Sequence, residues 1–370
     1  MPLSRVKPEQ YEELLHNKVD TVIALLAPLG APAPEVFQSP PTGFRQRAEF
    51  RIWHEGDDLN YVMFRRDDPK TPVNVTEFPI ADERIRSLMP RLRALLKHNT
   101  TLRRKLFQAE FLATLSGELL VTLAYHRKLE QDWEEAAAEL RAALSAACGP
   151  VALIGRSRKQ KIVLGEEYVT EVLPVDGREY RYRQYEQAFT QPNARVNIQM
   201  IEWACAQAAG LSGDLLELYC GNGNFTLPLS RHFNRLLATE VAKVSVRAAR
   251  HNIADNDIDN IDLVRLSAEE VTQAMAGERV FRRLAELPQP LGDYQLDTVF
   301  VDPPRAGMDA ATTAMTAGFK TIIYISCNPH TLAANLQTLS KTHAISALAL
   351  FDQFPYTDHM ECGVVLRRKA

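Results

Sequence analysis

From about residue 181 onward, short apolar runs recur between stretches of helix length, at 215–219, 236–239, 261–266, 296–301, 321–325 and 344–351. Apolar runs of this length, continuous and not alternating, are the pattern of strands buried on both faces of a mainly parallel sheet. Residues 363–366 would close that sheet as its last strand. Before residue 180 the pattern changes to a Pro-rich connection at 31–41, short alternating runs and two charged helical stretches, which suits an α+β module. The chain is therefore expected to be α/β, with one unit at 1–180 and a Rossmann-like sheet at 181–370. Residues 44–52 alternate at period two. Arg45, Arg47, Glu49 and Arg51 fall on one face and Phe44, Ala48, Phe50 and Ile52 on the other, with Gln46 the exception. The strand rise spaces alternate guanidiniums about 7 Å apart. That spacing suits a row of phosphates, or leaves one arginine paired with Glu49.

Composition narrows the class. The hydrophobic fraction of 46% is ordinary for folded protein, and no run approaches the roughly 18 to 20 apolar residues of a membrane span. The N-terminal stretch lacks the apolar run of a signal peptide, so the expected location is the cytoplasm. The five cysteines are odd in number and contain no C-x-x-C pair, which argues against disulfides, structural zinc or an iron–sulfur cluster. Nothing in the sequence calls for an obligate protein partner. Net charge is −3, yet residues 84–128 hold ten Lys or Arg against two Glu, a local excess that fits a phosphate backbone. Phe107, just after Arg103-Arg104-Lys105, is either an aromatic wedge for an RNA loop or a core residue of a helix. A second basic cluster, Arg156, Arg158, Lys159 and Lys161, is by itself as compatible with a solvated face.

The chemistry gathers at the predicted strand ends. The first run leads into Tyr219-Cys-Gly-Asn-Gly-Asn-Phe225, where Gly221 and Gly223 permit close backbone approach. Thr226 stands where a dinucleotide fingerprint needs its third glycine, which disfavours a pyrophosphate site. The next strand ends at Glu240, a carboxylate placed to accept both hydroxyls of a ribose. The fourth ends in Asp302-Pro-Pro-Arg305, where two prolines stop the strand and hold Asp302 at the edge. Enzymes that methylate exocyclic amines carry an aromatic ring where Arg305 stands, so that chemistry is disfavoured. The fifth delivers Cys327 to the same edge, followed by Asn328 and Pro329. A thiolate there could add to an electron-poor ring, whereas a cysteine without activation is usually a small core residue. The tail 351–362 offers Glu361, His359, Asp358 and Asp352 as proton acceptors, and the chemistry alone does not choose between Glu361 and His359.

Together the segments E-L-Y-C-G-N-G-N-F, D-P-P-R, Y-I-S-C-N-P and D-Q-F-P-Y-T-D-H-M-E-C resemble the RNA uracil-5-methyltransferase family, continuously from Phe189 to the end. The resemblance implies a methyltransferase sheet that uses S-adenosylmethionine, with Cys327 as nucleophile towards C6 of uracil and Glu361 as base. It also implies Gln191, Tyr219, Gly221, Asn224, Glu240 and Asp302 around the cofactor and Phe189 near the target base. The N-terminal segments F-R-Q-R-A-E-F-R-I-W, K-L-F-Q and Y-H-R-K are similar to the tRNA-modifying branch. They imply an N-terminal RNA-binding module, the T-loop uridine at tRNA position 54 as substrate, and the tRNA-like part of tmRNA as a second one. Two alternatives stay open: the same chemistry on ribosomal RNA, and an RNA-remodelling protein whose methylation is secondary.

Overall fold

The computed structural model describes residues 3–65 and 68–369. Met1, Pro2, Arg66, Asp67 and Ala370 lie outside the described residues, so the outer ends of both expected units are not described. In chain order, β1 (Glu35–Phe37) is followed by β2 (Arg47–Glu55), β3 (Asp58–Phe64), β4 (Pro72–Asn74), β5 (Leu106–Ala113), β6 (Leu119–Tyr125), β7 (Val151–Ser157) and β8 (Gln160–Leu164). A hairpin of β9 (Tyr168–Val175) and β10 (Arg178–Tyr185) comes next. The second half supplies β11 (Asp214–Leu218), β12 (Leu236–Thr239), β13 (Ile261–Val264), β14 (Leu296–Val301), β15 (Thr321–Ser326), β16 (His343–Phe351) and β17 (Glu361–Arg368).

Strands β2 to β8 form one sheet in the order β4-β3-β2-β5-β6-β7-β8, antiparallel except for the β6–β7 pair. That parallel pair needs a crossover, which the helix Gln131–Cys148 provides. Its Trp133 is fully buried against Gly155, where an added Cβ would come within 2.1 Å of the indole, so only glycine fits. On β2 the expected alternation holds. Ala48, Phe50 and Ile52 are buried in the apolar core, while Glu49 and Arg51 are exposed. The strand begins at Arg47, two residues after an isolated bridge between Arg45 and Ala81.

The second sheet has the order β1-β16-β17-β15-β14-β11-β12-β13, with β11 to β15 parallel and β17 antiparallel to both neighbours. Strands β11, β12 and β15 are buried at every residue, the outcome their continuous apolar runs predict. The strand order reverses between β11 and β14, and ligands in open α/β sheets sit beyond the carboxyl ends at such a switch point. Two N-terminal pieces join this sheet. β1 pairs with β16, and the helix Tyr11–Leu26 packs near the helix Pro329–Leu339. Lys18 on that first helix reaches the buried Asp352 at 2.5 Å and the Phe354 carbonyl at 3.2 Å. Residues 11–37 thus serve the sheet built by the second half of the chain.

Candidate active site

Strand register assembles the site. The last residues paired among the parallel strands are Leu218, Thr239 and Val301, so one step further along puts Tyr219, Glu240 and Asp302 side by side at the carboxyl edge. In the antiparallel pair β15–β17 the last partners are Ser326 and Cys362. Continuing that register by one residue sets Cys327 opposite Glu361.

Backbone turns shape the cofactor loop. Tyr219, Gly221 and Gly223 all have positive φ, at 61°, 58° and 90°. Gly221 needs its freedom for its left-handed backbone at φ 58°, not for lack of room, since a Cβ there would meet nothing within 4 Å. The short helix Thr226–Leu229 follows, with Pro228 in its first turn, where a missing N–H costs no helical hydrogen bond, and it runs on into a 3-10 turn at Ser230–His232. Glu240 closes the loop from the side: its Oε2 accepts the Gly221 N–H at 3.1 Å, and its Oε1 accepts the N–H groups of Val241 and Ala242 at 2.9 and 2.7 Å. Asn224 exchanges amide hydrogen bonds with Asn197, both at 2.8 Å. Gln191 accepts from the Gln353 amide at 3.1 Å. The residues around this edge fit S-adenosylmethionine: a cradle open before Gly221, a carboxylate with lone pairs to spare, and two fixed amides. Among the described residues no cluster of three or more His, Cys, Asp or Glu is placed to hold a metal ion.

The thiol and carboxyls influence one another. Burial, and then the carboxylates of Glu361 and Asp302, push the Cys327 thiol up to about 11, with Arg305 opposing them. Burial raises Asp302 to about 7. Glu361 is held well above the ordinary carboxylate range, by burial first and by Asp302 second, again against Arg305. Its Oε2 is buried with no hydrogen-bond partner. Arg305, exposed at this edge, is a cation that both Cys327 and Glu361 feel; it opposes their rise without cancelling it. Asn328 fixes the arrangement by donating to the Arg305 carbonyl at 3.0 Å, which ties the Cys327 loop to the Asp302 loop. A cavity of about 770 Å³ opens here between the first helix and the edge, lined by Lys18, Arg305, Asn328, His330 and His359 among others. His359 stacks edge-on with Phe354 at 6.0 Å.

Glu217, fully buried on β11, is raised to about 8 by burial first and also by Asp302, while the Thr226 hydroxyl opposes. The folded chain thus binds this proton more tightly than the unfolded chain does. The stabilisation is complete below the ordinary carboxyl range near 4.5 and is lost as pH rises through about 8. Glu217→Gln, which keeps the neutral shape, is expected to raise stability at pH 9 by up to roughly 5 kcal/mol and to change it little at pH 5. Denaturant melts at the two pH values measure the difference; an equal effect at both would show that Glu217 is ionised in the folded state.

The remaining expected residues lie on or beside the first sheet. Arg45 is largely enclosed and donates to the Arg47 carbonyl at 2.8 Å. Arg47 donates to the Ala188 carbonyl at 2.7 Å and stands 3.9 Å from Glu110, so the pairing expected with Glu49 is made with Glu110. Arg51 alone of the three presents an exposed side chain. Phe107 is neither in a helix nor in the core. A register shift between Leu106 and Gln108 makes it the extra residue of a bulge and turns it outward. Its ring stacks on His126 with centroids 3.8 Å apart, and the Arg51 guanidinium lies 5.4 Å from its centre. A groove of about 830 Å³ runs beside this stack, lined also by Arg127, Lys128, Arg158 and Lys159. Phe189 is 70% exposed, on the loop that Arg47 holds. Sequence reasoning missed Gln353, Asn328 and Asn197. The first two lie inside the motifs that carry the resemblance, but Asn197, in the helix Ala194–Ala208, carries no signal.

A doubly wound sheet with a glycine-turned loop at its switch point is the architecture of an S-adenosylmethionine-dependent methyltransferase, and here a cysteine faces a buried glutamate beside that loop. The family model described as tRNA (Uracil-5-)-methyltransferase matches residues 10–369. The chain belongs to that family. It is 55% identical over 361 residues to the tRNA/tmRNA (uracil-C(5))-methyltransferase of Pectobacterium carotovorum subsp. carotovorum, covering 98% of each chain. It is also 55% identical to the protein of the same name from Acinetobacter baylyi, covering 97% of this chain and 99% of that one. In fold it is similar to the Pyrococcus abyssi tRNA (uracil-54, C5)-methyltransferase crystallised with S-adenosyl-L-homocysteine. The TM-score is 0.73 at 19% identity, over 96% of this chain and 83% of that one.

Proposed function

We propose that the protein methylates C5 of the uridine at position 54 in the T-loop of tRNA, and of the matching loop of tmRNA, in the cytoplasm. The observation that carries this reading is the β15–β17 register, which sets Cys327 opposite Glu361 beside the cofactor loop. Gln191, Tyr219, Gly221, Asn224, Glu240 and Asp302 would hold S-adenosylmethionine, which when bound would supply an electrophilic methyl group. The Cys327 thiolate, favoured by Arg305, adds to C6 of the uracil, and the C5=C6 electron pair shifts to leave C5 nucleophilic. Once C5 carries the methyl, Glu361 takes its proton. The electrons of that C–H bond re-form C5=C6 and expel the thiolate. A carboxyl raised above its usual range is the stronger base for this step.

The first sheet serves as the RNA-binding module within residues 1–180, and the second sheet is the catalytic unit of residues 181–370, completed by helix Tyr11–Leu26 and β1. The stacked pair Phe107 and His126, beside Arg51 and the basic groove, suits a splayed RNA loop, and exposed Phe189 suits the extruded base. Arg47 positions the Phe189 loop through the Ala188 carbonyl, and Arg45 braces Arg47 through its carbonyl. The test is mass spectrometry of nucleosides after incubating unmodified tRNA, or ribosomal RNA fragments, with the protein and S-adenosylmethionine. Expected is 5-methyluridine in tRNA alone; its appearance only in ribosomal RNA would overturn the substrate reading.

A further inference from the structure

A second basic concavity lies at the far end of the catalytic sheet. The helix Lys243–Asp255 carries Lys243, Arg247, Arg250 and His251 along one stripe, which walls a hollow of about 350 Å³. Arg265, Arg283 and Glu286 form the opposite wall. Arg250 stands 3.9 Å from Glu286, and both are well exposed. Lys243, Arg265 and Arg283 form no ion pair among the described residues, and Arg283 donates to the Arg265 carbonyl at 3.0 Å, which packs two guanidinium residues together. Like charges gathered this closely repel one another, so the hollow favours an anion.

Two features say which anion. First, the hollow opens on the active edge: Arg265 directly follows β13, and the Glu240 N–H donates to the Val264 carbonyl at 3.4 Å. Four strand spacings separate β13 from β15, which puts it on the order of 20 Å from Cys327. Second, it is continuous with the basic groove of the first sheet. Glu167 is shared by Arg247 at 2.8 Å and Lys161 at 2.7 Å, and Lys161 lies 3.5 Å from Glu186, the partner of Arg156. Three cations and two carboxylates thus link the two basic patches, so Lys128 and Arg158 at one end and Lys243 and Arg283 at the other belong to one continuous face with a net positive excess. A small free anion has no use for a track of that length; a polyanion does.

We propose that this hollow is a second RNA contact, taking the phosphate backbone of the bound tRNA outside its T-arm. The inference rests on the tRNA reading above. Phosphate neutralisation releases counterions, so each neutralised phosphate steepens the salt dependence of binding by about 0.7 to 0.9 log units. The experiment compares full-length tRNA with an isolated T-arm hairpin, on the wild type, on the double variant Lys243→Ala/Arg250→Ala and on a triple variant that adds Arg283→Ala. The wild type is expected to show the steeper slope with full-length tRNA. The variants should lower that slope towards the hairpin value by about 0.7 to 0.9 for each phosphate left without its cation, with hairpin affinity and hairpin methylation unchanged. Equal slopes for the two RNAs in the wild type, or variants that weaken both RNAs alike or neither, would overturn the proposal. If the wild type methylates neither RNA, it is the tRNA reading that fails. The double variant alters exposed side chains only, so its result stands if the triple variant folds poorly.

Discussion

Cys327→Ala protein is expected to bind S-adenosylmethionine as the wild type does and to make no measurable 5-methyluridine. The thiol acts on the base, while the cofactor contacts belong to other strand ends, so the two properties separate cleanly. Without addition at C6, C5 of uracil has too little electron density to take a methyl group. The free thiol is held up to about 11, chiefly by burial, so activation has to accompany RNA binding, with Arg305 as the cation already in place. A companion measurement uses RNA with 5-fluorouridine at the target. Fluorine cannot leave C5 as a proton does, so the wild type should accumulate a protein–RNA adduct that survives denaturant and the variant should not. Turnover above about 1% of wild type in the Ala variant would end the covalent reading, since general catalytic assistance alone is worth less than the loss expected.

Glu361→Gln should fail at a later step. Addition and methylation remain feasible, but the C5 proton has no acceptor, so the enzyme should stall as a covalent complex with RNA that already carries the methyl group. Turnover is expected to fall by about 10² to 10⁴, the usual worth of a general base. The Oε2 atom of Glu361 is buried without a partner, which fits an oxygen reserved for the substrate. His359→Ala, in the tail that lines the cavity mouth, should slow the reaction less and trap nothing. Gel shifts under denaturing conditions with methyl-labelled cofactor read both outcomes. Labelled adduct in the His359 variant and none in the Glu361 variant would move the proton to the imidazole.

The parallel strands were legible because burial on both faces leaves no alternation to misread: 236–239 and 296–301 agree end to end, and 215–219 is displaced by one residue. The place of Cys327 was legible because it directly follows such a strand, whereas Glu361, which opens β17, was singled out over His359 only by the resemblance. What escaped was tertiary. Nothing in 44–52 shows that Arg45 and Arg47 turn back to hold backbone carbonyls, since alternation reports a face and not what lies against it. The bulge that turns Phe107 outward depends on pairing between β5 and β6, which no single-strand pattern contains. Likewise, the allegiance of residues 11–37 to the second sheet is decided by Lys18 meeting Asp352 and by β1 meeting β16, contacts between distant parts of the chain.

That closure has a consequence for how the molecule comes into being. Lys18 and Asp352 are 334 positions apart, and a ribosome adding about 5 to 20 residues per second needs on the order of 20 to 60 s to make the second after the first. Through that interval the apolar side of helix Tyr11–Leu26, with Leu15, Val19, Val22 and Leu26, waits for the helix Pro329–Leu339 against which it packs. The loop-closure cost itself grows only slowly with length, so the finished contact is affordable at equilibrium; the delay is kinetic. The strand that opens with Glu361 belongs to the same late-arriving segment. On the ribosome the reactive edge therefore cannot be complete until the C-terminal strand has been made and Asp352 is available to Lys18.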